Sequence, residues 1–86
     1  MSVLIAEAST TGEVVITGGA SVTITLVPTT AAGIPRGASA GIAWKGAGAH
    51  NTTIKRVDYL SPCAVIDANG TWVVTKGAGA YTVERS

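Results

Sequence analysis

Glycine and proline interrupt this chain so often that few uninterrupted stretches reach the length of an ordinary helix. Between the interruptions lie short runs dominated by threonine and valine, residues that suit a pleated surface better than a helix. The spacing therefore predicts strands of four to eight residues, with turns roughly every 8–12 residues. The expected fold is all-β: a compact antiparallel β-sandwich or small barrel, immunoglobulin-like in size, with seven to eight short strands in a single domain spanning residues 1–86.

The runs can be named. Val3–Ala8 reads as a short first strand, plausible at an edge, and Thr11-Gly12 as the turn after it. Glu13–Thr17 is the second strand, with Gly18-Gly19 as a tight hairpin turn, because glycine takes positive φ freely. Ser21–Val27 alternates most clearly. Val22, Ile24 and Leu26 point one way, and Ser21, Thr23, Thr25 and Val27 the other. Pro28 ends that strand, and Thr29–Ala40 reads as a loop long enough to be functional or mobile. A strand of about five residues follows around Ile42 and Trp44 until Gly46 and Gly48 break it. In Asn51–Leu60, Ile54 is out of phase with Val57 and Tyr59, which places a bulge near Lys55-Arg56. Cys63–Asp67 is another short strand, and Ala68-Asn69-Gly70 is a hairpin signal. Thr71–Lys76 and Ala80–Arg85 read as a closing hairpin through Gly77-Ala78-Gly79. The pentapeptide KGAGA occurs at Lys45–Ala49 and at Lys76–Ala80, and reads as one turn used twice rather than as a repeat architecture.

Composition narrows the function. Charged residues make up 13% of the chain, about half of ordinary usage. Apolar residues are 47%, mostly alanine and valine with no phenylalanine, so a thin core is expected. A domain this short gains stability from disulfides, metals or partners. Cys63 is the single cysteine and His50 the single histidine, so neither an internal disulfide nor a zinc site is expected, and association is the route left. Contact surfaces are depleted in lysine and acidic residues, as this chain is. A net charge of +1 without a basic run argues against nucleic acid. No apolar stretch has the length of a membrane span, and the start MSVLIAEAST lacks the pattern of a secretory signal. The sequons at Asn51 and Asn69 then read as chance matches.

No catalytic constellation emerges. His50 lies in a glycine-alanine turn and reads as a surface histidine. Glu7, Glu13, Asp58, Asp67 and Glu84 are scattered, with no spacing that forces two carboxylates together. The glycine turns precede strands rather than helices, so they lack the helix terminus of a phosphate loop. Cys63, before the apolar Ala64-Val65-Ile66, reads as a buried and inert thiol. Among the aromatics, Trp72 or Trp44 is expected in the core, and one of Tyr59 and Tyr81 at the surface. No catalytic, cofactor-binding or metal-binding residue is expected.

Two stretches, GEVVITGGASVTITLVP (Gly12–Pro28) and ANGTWVVTKGAGAYTVERS (Ala68–Ser86), resemble the small β-sandwich virion proteins of tailed bacteriophages. The second closes on Gly79, Tyr81, Val83 and Arg85 in a G-x-Y-x-V-x-R pattern. The resemblance covers about 36 of the 86 residues and leaves Thr29–Asp67 unmatched. It implies a capsid decoration (cement) or head-fibre protein, made in the host cytoplasm and placed on the capsid surface. Its partners would be the major capsid protein and further copies of itself, with a trimer among the forms open to it. Thr23, Thr25, Arg36, Trp44, Tyr81 and Arg85 are the candidate contact residues. The alternative is a carbohydrate-binding or host-adhesion module on a phage head or tail, using Trp44, Tyr59, Asn51 and Asp58.

Overall fold

The computed structural model describes residues 2–45 and 52–86, and these form eight strands and no helix. The strands are β1 (Ser2–Ile5), β2 (Thr11–Ile16), β3 (Val22–Pro28), β4 (Ser39–Trp44), β5 (Thr52–Asp58), β6 (Cys63–Ile66), β7 (Gly70–Lys76) and β8 (Tyr81–Arg85). They make two antiparallel four-stranded sheets, in the orders β1-β8-β3-β6 and β2-β7-β4-β5, packed as a sandwich.

Most of the expected strands are present, but their pairing differs from the expectation. The three glycine turns that read as hairpins do not join paired strands. β2 and β3, β6 and β7, and β7 and β8 each lie in different sheets. Among the described strands, only β4 and β5 are both consecutive and paired. Gly18 and Gly19 do take positive φ, and Ala20 N–H donates to the Thr17 carbonyl, so the local reversal is real. It turns the chain across the sandwich instead of within a sheet. Near the start, the reversal lies at Ala6–Ser9, where Ser9 N–H donates to the Ala6 carbonyl, and Thr11-Gly12 opens β2.

Alternation fills the core as expected in β3, where Val22, Ile24 and Leu26 are buried. The core is not mainly alanine and valine, however. Isoleucines 5, 16, 24, 42 and 66 are among its largest fully buried side chains, joined by Trp72 and Tyr81. Each isoleucine contributes on the order of 1.5–3 kcal/mol of burial, which compensates for the absence of phenylalanine. The bulge expected in β5 is present: Ile42 pairs with Lys55 and Ala43 with Thr53, leaving Ile54 as the extra residue.

The expected long loop is folded rather than open. Gly33 N–H donates to the Thr30 carbonyl and Ala38 N–H to the Pro35 carbonyl, making two consecutive tight turns. Between them Ile34 packs against the core, and Ser39 and Ala40 already belong to β4.

Candidate interaction groove

The second of those turns positions the most distinctive surface feature. Arg36 occupies its corner and is exposed. Ser39 pairs with Asp58, so the turn before β4 lies beside the residues that end β5. Arg36, Gly37 and Ala38 thus face Arg56, Asp58, Tyr59 and Leu60 across an open groove of about 400 Å³.

The β5 side is held by a local network. The Asp58 Oδ1 accepts from the N–H groups of Leu60 and Ser61, at 3.0 and 2.9 Å, while Asp58 N–H donates to the Ser61 carbonyl. This Asx turn reverses the chain before Pro62 and pushes Leu60 into solvent, 85% exposed. Tyr59, 42% exposed, lies under the Arg36 guanidinium, 6.0 Å from ring centroid to Cζ. Neither Arg36 nor Arg56 has an ion-pair partner among the described residues. The groove therefore combines two guanidinium groups, one of them over the Tyr59 ring, and a protruding leucine, with one carboxylate oxygen already engaged.

The six expected contact residues do not converge. Arg36 is in the groove. Thr23 and Thr25 lie half-exposed on the outer face of β3, a central strand, beside Val65, Cys63 and Glu84 of its neighbours. Trp44 is at the far end of β4 from the groove, 43% exposed, its indole N–H donating to the Asn69 carbonyl. Arg85 is half-buried opposite Ile24.

Tyr81 is a clear correction, since it is fully buried and offers nothing to a contact. Its hydroxyl donates toward the carbonyls of Ser39 and Gly77 and accepts from Ser39 N–H, at 2.9, 3.1 and 3.1 Å. Its ring lies 4.2 Å from the Nζ of Lys76, which is itself only 3% exposed. That ammonium donates to the carbonyls of Glu7, Gly77 and Gly79. A buried charge with three carbonyl acceptors and an aromatic face is a structural clamp, binding the N-terminal turn to the β7–β8 crossing.

The other aromatics follow expectation: Trp72 is core, with its N–H on the Ala68 carbonyl, and Tyr59 is the surface tyrosine. Cys63 is exposed rather than buried, because it has the same parity as Val65 on the outer face of β6. His50 and Asn51 lie outside the described residues. The alternative set is divided too, with Asp58 and Tyr59 at one end of the β4–β5 pair and Trp44 at the other.

Arg56 and Leu60 were missed in the sequence. Arg56 could have been found, since it flanks Val57 with Asp58 and must share that residue's outward face. Leu60 could not, because its exposure depends on the Asx turn closing over it. No family model matches the chain, and no curated protein or solved structure is significantly similar to it.

Proposed function

We propose that this chain is a structural, non-enzymatic virion protein that binds the exterior of an assembled phage capsid and stabilises it. The observation that carries the reading is the groove, where Arg36, Arg56, Tyr59 and Leu60 come together on a molecule otherwise poor in charge. Arginine and tyrosine are the residue types that most often anchor protein interfaces, and an exposed leucine beside them gains from burial. The half-exposed threonines of β3 offer a second, flatter contact. Binding to the assembled lattice and not to free subunits would stabilise the shell by mass action.

The carbohydrate-binding alternative has less support. Arg36 lies over the Tyr59 ring, so that ring is not a free stacking platform. Its other aromatic, Trp44, is at the opposite end of β4.

The test is a binding and heat-stability assay on shells assembled with and without the protein. Saturable binding is expected, with a higher shell melting temperature. Arg56→Ala or Leu60→Ser should weaken binding by about tenfold or more while leaving the fold intact. Shells that neither bind the protein nor gain heat resistance would sink the proposal.

A further inference from the structure

The two sheets have four edge strands: β1, β6, β2 and β5. An edge strand with free backbone groups is a template for another strand, and most proteins block it. Three of these edges are blocked or broken. β1 has four residues and a register shift at Leu4. β6 also has four residues, follows Pro62, and has its Val65 carbonyl capped by the Lys55 ammonium. β5 is interrupted by the bulge at Ile54.

β2 has none of these protections. It runs Thr11–Ile16 in unbroken register with β7. Lys76 N–H donates to the Thr10 carbonyl at 2.7 Å, which sets the phase of the ladder. Both backbone groups of one residue point to the same side, and alternate residues point oppositely. Thr10, Gly12, Val14 and Ile16 therefore face β7, and Thr11, Glu13 and Val15 present their N–H and C=O groups outward. All three are exposed, and no other described element bonds to them.

From this geometry we infer that β2 is a self-association edge, and that its occupant is β2 of a second copy, paired antiparallel about a two-fold axis at Val14. The pattern is self-complementary. In that register Glu13 of one copy lies opposite Val15 of the other, and the two exchange both backbone hydrogen bonds. Shifting the axis to Glu13 would oppose two like charges, which is unfavourable. Lys45, 3.9 Å from Glu13, offsets part of the remaining acidic charge. On the outer face Val15, 61% exposed, gains a neighbour, and the four-stranded sheet becomes a continuous one of twice that width.

A single strand-to-strand contact is small, so the dimer is weak and concentration-dependent. Sedimentation velocity on the isolated protein, from about 10 μM to about 1 mM, should show the weight-average mass rising toward twice the monomer's. Hydrogen exchange at the upper concentration should slow at the amides of Glu13 and Val15. Val15→Glu should weaken association at least about tenfold, because it sets a second carboxylate directly opposite Glu13 of the other copy, while Val3→Glu on β1 should leave it unchanged. Three results would overturn the inference: a mass that stays monomeric, a dimer insensitive to Val15→Glu, or protection that appears on β5 or β6 instead. The exchange measurement uses the unaltered chain, so it decides even if a variant folds poorly. No capsid enters the experiment, so its outcome is independent of the proposed function.

Discussion

The pentapeptide KGAGA occurs twice, and its two lysines meet opposite fates. Lys45 follows β4 with its side chain 46% exposed, near Glu13. Lys76 ends β7 and is buried under Tyr81, its ammonium on three carbonyls. The first copy lies in the connection between paired strands of one sheet, the second between strands of different sheets. The difference begins in the strand that precedes each copy. Lys45 lies three residues past the buried Ile42, in the opposite phase and just beyond the end of β4. Lys76 comes two residues after Val74 and so inherits that residue's inward direction. Identical local sequence is read through the strand phase that precedes it.

The contrast can be broken by substitution. Lys76→Ala has the largest expected effect, about 3 kcal/mol, since it empties a buried site under Tyr81 and leaves three carbonyls without their charged donor. Chemical denaturation should show this as a lower midpoint at unchanged slope. Gly79→Ala comes next, at about 2 kcal/mol. At φ 147° a side chain is strained, and its Cβ would lie 2.8 Å from the Tyr81 ring. Tyr81→Phe keeps the ring over Lys76 but loses the hydroxyl bonds to Ser39 and Gly77, for about 1–2 kcal/mol in the same assay. Lys45→Ala should change stability by less than about 0.5 kcal/mol, because an exposed ion pair contributes little. A Lys45→Ala variant as damaged as Lys76→Ala would erase the distinction.

An amine-reactive label sharpens the comparison without mutation. Lys45 should be modified rapidly and Lys76 only on the timescale of opening, as read by mass spectrometry of peptides from the native protein. Equal rates would mean that the clamp is open in solution.

The turns and the pairing were legible to different degrees. Gly18-Gly19 announced a reversal, and one is there, but the residues around a reversal do not say whether it stays in the plane of a sheet. That depends on which strands compete for each edge. β7 accepts β2 on one side and β4 on the other, so β8 finds its partners in β1 and β3. The bulge at Ile54 was readable because a phase slip between Ile54 and Val57 is written in the residues themselves. Cys63 was misjudged because its apolar neighbours suggested burial, and Tyr81 because the closing strand was read as offering it at a contact; in both, burial follows parity and register. Of the groove, Arg36 was visible as a loop cation, and its opposition to Arg56 and Tyr59 was not, since it requires Ser39 to pair with Asp58.

Composition and alternation alone determined that this chain makes short strands, which residues of β3 turn inward, and where most of its reversals lie. These are local matters, decided by steric limits on φ and by the two-residue period of a strand. Tertiary structure decided which strands lie side by side, that one KGAGA lysine is sealed in and the other left out, and that β2, among the described edge strands, keeps an unbroken ladder. Those outcomes rest on hydrogen bonds between residues far apart in sequence, whose partners are chosen only when the whole sandwich closes.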